Sequence, residues 1–306
     1  MATLSRHIPV FHNVTSVSLT SSAKRSIASL LSPRAQYCVG EQLSVQVDMR
    51  NHMGELKSYG GDFILARIHS PNVMAAASGS VEDLRNGSYH VNFTLFWPGT
   101  VEASLLLVHP SEAVFSLWRA RQQGYDKISY TGTFVNGSRQ EKSLCNFRLS
   151  SNKTLCKYTD ERGEEYYTCL KPPSLACESL TNFTSSYTQG SFFSDIENQL
   201  LKRDNIGVLI QNDFQAIEVL ECDGATHNRS RLCEPGHISP LPSGYFLAKK
   251  WFSSSCHTGS FLSADSISRC LQGKTLYLRG DSTVRQWIEH LERTLKETGH
   301  FHPEKG

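Results

Sequence analysis

No stretch of eighteen consecutive apolar residues occurs in this sequence, and its opening, MATLSRHIPVFHNVTSVSLTSSAKR, holds no apolar core of the kind a secretory leader carries. These residues therefore supply neither a membrane anchor nor a leader, and the true start is expected upstream or the chain is expected to be an alternative product. An excess of one charge is also missing. Lys+Arg number 31 against Asp+Glu 29, with no run of five or six like charges, so a phosphate backbone or an anionic lipid surface meets no matching patch. Nucleic acid is excluded as a partner on that ground. The metal-binding arrangements of a C-x2-C pair opposite a second pair, or opposite H-x3-H, are absent as well, so neither a metal nor a cofactor is expected.

What is present is a chain of 306 residues, 39% hydrophobic, long enough to bury a core and to form about two domains. Seven of its thirteen asparagines, Asn13, Asn86, Asn92, Asn136, Asn152, Asn182 and Asn228, begin Asn-x-Ser/Thr acceptors. With roughly a fifth of the residues Ser or Thr, about two or three would arise by chance. The excess favours a glycosylated, oxidising compartment, where cysteines pair. The nine cysteines include Cys145, Cys156, Cys169 and Cys177 in one cluster and Cys222, Cys233, Cys256 and Cys270 beyond it. These eight are the disulfide candidates. The first four are expected to pair mainly among themselves, and the odd total leaves at least one of the second four without its native partner.

Residues 1–34 are Ser/Thr-rich and weakly periodic, and read as a flexible segment. From residue 35 the pattern changes to period two, with Leu43, Val45, Val47 and Met49 alternating with polar residues. Further strands are expected at 62–69, 88–97 and 100–109. In the 88–97 strand Tyr89, Val91, Phe93, Leu95 and Trp97 share one face, which puts the acceptor Asn92 on the other. Turn dipeptides Asn86-Gly87 and Pro98-Gly99 bracket it. Short strands at this spacing, without interleaved amphipathic helices, predict a mainly β fold, an immunoglobulin-like antiparallel sandwich over 35–140. Residues 141–204, polar and with four cysteines and Pro172-Pro173, read as a disulfide-stapled, loop-rich connector ending in a short helix near 194–203. An apolar run at 206–210 follows as a strand.

Near the C-terminus K-T-L-Y-L-R (274–279) reads as a strand and Gly280-Asp281-Ser282 as a tight turn. Val284, Trp287, Ile288, Leu291 and Leu295 then recur at helical spacing. A serine at a strand-to-helix turn can attack an acyl carbon, because the unpaired N–H groups of the helix start stabilise a developing oxyanion. It needs a histidine base and an orienting carboxylate. The other reading is that Ser282 or Asp281 simply caps the helix. His290 lies eight residues on, about 12 Å up the helix axis, out of reach of the serine. His300 and His302 read as solvated tail residues.

The stretch C-L-Q-G-K-T-L-Y-L-R-G-D-S-T-V-R-Q-W (270–287), with Trp251 and Cys256 upstream, resembles the opening of a PC-esterase domain of the GDSL/SGNH hydrolase superfamily. S-P-R-A-Q-Y-C-V-G-E-Q-L (32–43), Y-G-G-D-F-I-L-A-R-I (59–68), L-F-W-P-G-T-V-E-A-S-L-L-L-V-H-P-S-E (95–112) and Q-G-Y-D-K-I-S-Y-T-G-T-F-V-N-G-S (123–138) resemble a neurexophilin-type domain. The combination resembles the NXPE family, the neurexophilin and PC-esterase domain proteins, from about residue 32 to the C-terminus. The resemblance implies a secretory-pathway glycoprotein, secreted or lumenal, with 205–306 as the first strand, turn and helix of an incomplete α/β catalytic domain. It makes Ser282 the nucleophile and Gly280 and Asp281 its turn motif. It also calls for an Asp and a His well after the serine, and none stands in that arrangement before Gly306.

Three functions are weighed. The full-length parent resembles an enzyme that transfers or removes an O-acyl group on a glycan through Ser282, with a glycan or acyl donor as partner. Alternatively, the sandwich is an extracellular module that recognises a cell-surface protein. In the third, this form is cut short and inactive, with the region beyond about residue 243 poorly packed.

Overall fold

The structure, a computed structural model, describes residues 14–147, 149, 151–160, 165–187, 190–222, 232–234, 236, 238–257, 259, 261, 263–278 and 280–296. The elements run β1 Ile27–Leu30, β2 Tyr37–Cys38, β3 Gln42–Asp48, β4 Phe63–Ser70, β5 Ala75–Ser78, β6 Ser80–Asp83, β7 Ser88–Thr94 and β8 Gly99–His109. Helix α1, Ser111–Gln122, precedes β9 Ile128–Asn136, β10 Arg139–Asn146, β11 Leu155–Asp160, β12 Glu165–Leu170 and β13 Leu180–Tyr187. Then come α2 Asp195–Leu200, β14 Val208–Asn212, β15 Ile217–Leu220, β16 Gly244–Leu247, β17 Lys250–Ser253, α3 Ala264–Leu271 and α4 Ser282–Leu295. The fold is mainly β and of sandwich type, followed by a small helical part.

The chain divides into two compact units, one of residues up to 128 with 186–258, the other of 129–185 with 259–306. In the first, one path of strands runs β17-β16-β5-β4-β8-β14-β1-β3-β7-β6, with β15 joined to β8 and β2. The path curls so that β4 and β5 meet β6 and β7 face to face. Alternation explains the closure: Leu43, Val45 and Val47 on β3 and Tyr89, Val91 and Phe93 on β7 are all buried. They meet Ile64, Ala66 and Ile68 from β4 and Leu105 and Leu107 from β8 in a single core. Trp97 is fully buried, and its indole N–H donates to Ser70 Oγ at 2.7 Å, so the largest side chain of the core keeps a partner for its polar edge.

Residues 27–30 are a strand of the sheet, not part of a flexible segment: β1 pairs antiparallel with β3 and parallel with β14, and Ala28 is completely buried. The low periodicity of the Ser/Thr-rich stretch hid this, because Thr20, Ser21, Ser22 and Ser26 are buried polar residues. Ser26 Oγ donates to the Ser22 carbonyl and accepts from the Arg50 N–H, which compensates its burial. An amphipathic helix does interrupt the strands, at α1. The region beyond residue 243 is also packed as far as β17. Tyr245 is buried, stacked on Phe96 at 4.5 Å and Phe252 at 5.5 Å, and β16 pairs with β5.

A buried polar network closes the sheet against the start of α1. Lys57 Nζ donates to Glu112 Oε1 at 2.5 Å, to the Tyr59 hydroxyl at 2.5 Å and to the Leu19 carbonyl at 3.1 Å. Beside it Asp62 accepts from the Ser111 N–H at 2.7 Å and from the Tyr89 hydroxyl at 3.0 Å. Burial, with the nearby Glu112 charge adding to it, pushes the Asp62 carboxyl up to about 6. A carboxyl whose folded value lies above its unfolded one stabilises the fold below the unfolded value and loses that contribution as pH rises through the folded one. Relative to Asp62→Asn, the unsubstituted protein is therefore expected to lose on the order of 3 kcal/mol between pH 4 and 7. Urea midpoints of both proteins across that range check it, and parallel curves would refute it.

The loop-rich connector expected over 141–204 is corrected in the second unit, where its cysteines lie in or beside a sheet of order β11-β12-β10-β9-β13, whose β9 and start of β10 come from residues before 141. The reason is visible in its register: Cys145 stands opposite Cys169, which stands opposite Cys156, so the cysteines form one row across three strands. All three are buried with Phe134 and Leu175. Gly132 leaves room for them, since a Cβ there would lie 2.8 Å from Cys145 Sγ.

Candidate functional site

The G-D-S segment is built as a helix start rather than as the end of a strand. Residues 274–278 form no strand, a correction to the strand expected over 274–279; among the described residues no neighbouring strand offers them a ladder. Arg279 lies outside the described residues. Asp281 is the cap of α4: its carboxylate accepts the Thr283 N–H at 2.9 Å, and its carbonyl accepts the Arg285 N–H. The bond from Thr283 holds the Asp281 carboxyl below the ordinary range. Gly280 permits a close approach, because a Cβ there would come within 2.5 Å of Val284 Cγ2.

Ser282 is the first residue of α4 and is exposed. No described histidine or carboxylate is hydrogen-bonded to its hydroxyl. His290 is on the same helix and exposed, its carbonyl taken by Thr294 Oγ1, while His300 and His302 lie outside the described residues. The Asp281 carboxylate also occupies the helix N-terminus with negative charge, where an oxyanion would have to be stabilised. In this geometry the segment is a capped helix start.

The cysteines are brought together in four bridges: Cys38–Cys222, Cys145–Cys169, Cys156–Cys177 and Cys233–Cys256. Cys38, absent from the eight candidates, takes Cys222, and Cys270 is the exposed free thiol among the described residues. The described residues contain no group of three or more His, Cys, Asp or Glu arranged to hold a metal, and no helix long and apolar enough to cross a membrane.

Of the acceptor asparagines, Asn86, Asn136, Asn152 and Asn182 are exposed and Asn92 is half-buried, while Asn13 and Asn228 lie outside the described residues. Asn86 stands at the turn before β7, its Oδ1 accepting the Ser88 N–H. Asn92 Oδ1 accepts from Ser44 Oγ at 2.7 Å, which fixes the amide on the sheet's polar face. Both are expected to carry N-glycans when the chain passes through the endoplasmic reticulum. Asn86→Gln and Asn92→Gln should each remove one endoglycosidase-sensitive step in gel mobility. Unchanged mobility in both would count against it.

Sequence reasoning missed a cleft beside α1. Val114, Leu117, Trp118 and Arg121 recur at helical spacing and line it together with Phe63, His109, Tyr125 and Asp126. The signal lay in P-S-E (110–112), a helix start followed by that spacing.

A single core of β-strand residues, four bridges and acceptor asparagines outside that core define a disulfide-stapled β-sandwich protein. The neurexophilin family model matches residues 7–196, and the model of the NXPE family member 4-like C-terminal domain matches 251–306. The chain belongs to the NXPE family. That membership and the four bridges are compatible with the secretory pathway. Among solved structures, the filamin domain of Lin-41 is similar at 19% identity over 29% of this chain and 82% of that one, with a TM-score of 0.24.

Proposed function

We propose that this chain is a secretory-pathway glycoprotein that acts by recognition, its neurexophilin-type unit binding a cell-surface partner, and that it carries no acyl-transfer activity by itself. The observation that supports this reading is the state of Ser282, exposed on a helix whose N-terminus is occupied by its own Asp281 carboxylate. A serine hydroxyl at neutral pH is a weak nucleophile until an adjacent base, oriented by a third group, takes its proton. The sandwich, in contrast, has its own core and bridges, the rigid scaffold that recognition surfaces need.

The second reading, O-acyl transfer to or from a glycan, draws on the match of 251–306 to the C-terminal domain and on the place of Ser282 at the nucleophile position of the PC-esterase motif. It requires a histidine and a carboxylate brought to Ser282. A fluorophosphonate probe separates the two. This chain is expected to remain unlabelled, and labelling that disappears in Ser282→Ala would overturn the proposal. Saturable binding of the secreted chain to intact cells, equal for the Ser282→Ala variant, is the positive expectation. Its absence would defeat the recognition reading.

A further inference from the structure

A sheet edge is a row of unpaired backbone N–H and C=O groups, and folded proteins keep it from pairing with another chain by placing charge, proline or a cover there. In the first unit the path of strands ends at β17, which carries Lys250, and at β6, which carries Glu82 and Asp83. The branch strand β2 has two residues and is tied down through Cys38. In the second unit the sheet ends at β11 and β13, and β11 carries Lys157 and Asp160. Strand β13, L-T-N-F-T-S-S-Y, is different: it holds no charge. Neither a charged residue nor a proline occurs anywhere from Leu180 to Ser194.

This composition favours pairing with a like strand. Thr, Phe and Tyr are strong strand formers, and an uncharged, proline-free window of about six or seven such residues is the sequence type that self-associates when exposed. One edge of β13 is taken by β9, with the Thr181 and Thr184 hydroxyls donating to the Thr133 and Thr131 carbonyls at 3.1 and 3.3 Å. Beside the other edge no strand stands among the described residues. Thr181, Asn182, Thr184, Ser185, Ser186 and Tyr187 are all exposed.

Asn182 lies within this strand and begins the acceptor Asn182-Phe183-Thr184. Phe183 meets Tyr130 at 5.2 Å and Tyr167 at 4.7 Å on the cysteine side of the sheet, so the period of two turns Asn182 to the opposite side. The other described acceptors are placed otherwise. Asn92 is on β7, which is paired on both sides, Asn86 and Asn136 are at turns, and Asn152 precedes β11. A strand added to β13 would run about 4.8 Å from it, within the volume that a branched oligosaccharide on Asn182 sweeps.

We infer that an N-glycan on Asn182 covers the free edge of β13 and prevents strand addition by the β13 of a second copy of this chain. Attachment joins the Asn182 amide nitrogen to the anomeric carbon of a lipid-linked oligosaccharide; the amide loses a proton and the lipid diphosphate leaves. The inference requires passage through a glycosylating compartment and is independent of the recognition reading and of Ser282.

The test is the weight-average mass of the full secreted chain in solution, by light scattering over a range of concentrations. The unsubstituted protein is expected to be a monomer. Asn182→Gln should lose one glycan step in gel mobility and rise about twofold or more in mass, the least that an isologous pair gives. Asn136→Gln, which removes an acceptor from a turn, should stay monomeric. Adding Ser186→Lys to Asn182→Gln should restore the monomer, because a charge on the edge replaces the cover. Should Asn182→Gln fail to be secreted, enzymatic deglycosylation of the folded protein gives the same comparison: the unsubstituted chain should then associate and Ser186→Lys should not. Unchanged gel mobility of Asn182→Gln, a monomer after loss of the glycan, equal association in Asn136→Gln, or association that the lysine does not reverse would each overturn the inference.

Discussion

Glu112→Ala is expected to cost about 3 to 5 kcal/mol of folding free energy, the usual result of removing one member of a buried ion pair. The Lys57 and Glu112 side chains are only 4% and 2% exposed, so truncation leaves an ammonium enclosed with the Tyr59 hydroxyl and the Leu19 carbonyl as its remaining partners. Tyr59 would lose its acceptor as well, since its hydroxyl donates to Glu112 Oε1 at 2.6 Å. The backbone N–H of Ser21 faces the other carboxylate oxygen, so the N-terminal segment should loosen with the pair. Chemical denaturation of the single variants and of Lys57→Met with Glu112→Leu measures this. The double variant should lose less than the sum of the singles, because two apolar side chains carry no uncompensated charge. Additive losses would show that the contact is not an energetic pair.

The second large effect is expected on removing the Cys38–Cys222 bridge by serine substitution at both positions. It closes a separation of 184 residues with Cα atoms 5.6 Å apart, joining the end of β2 to the chain just beyond β15. Loop-closure entropy for that span is worth about 5 kcal/mol, against about 3.5 for the 24-residue separation of Cys145 and Cys169. The parallel pair of β2 and β15, Leu220 opposite Cys38, has only two registered positions and cannot hold the edge alone. Thermal melts of the oxidised protein and of each double-serine variant should rank the losses in that order. Equal midpoints for the unsubstituted protein and the Cys38 and Cys222 variant would refute the role assigned to the bridge.

Where alternation was strict, the sequence was legible. Leu43, Val45 and Val47, then Tyr89, Val91 and Phe93, lie on the inner face as their period of two requires. It was not legible where burial was polar: Ser21, Ser22 and Ser26 carry no hydrophobic signal, and their place depends on partners that only tertiary structure supplies. The strands beyond residue 141 were misread because Tyr, Thr and Cys in polar surroundings resemble a loop until pairing aligns Cys145, Cys169 and Cys156. At the candidate nucleophile, the residues of Gly280, Asp281 and Ser282 serve a cap and a catalytic turn equally well. The choice between them depends on what surrounds the hydroxyl, which no short motif encodes.

The parallel pairing of β1 with β14, Ile27 opposite Gln211, has a consequence for biosynthesis. A strand near the start of the chain must wait for one made 184 residues later, the difference between those two positions. At about 5 to 20 residues per second, the interval is roughly 10 to 40 s. During it one edge of β1 is open, and Ala28, completely buried in the finished fold, awaits its cover. The first unit therefore completes its fold only after residue 211 has been synthesised. Its yield in a cell should depend more on chaperones that shield open strand edges than on the stability of the finished molecule.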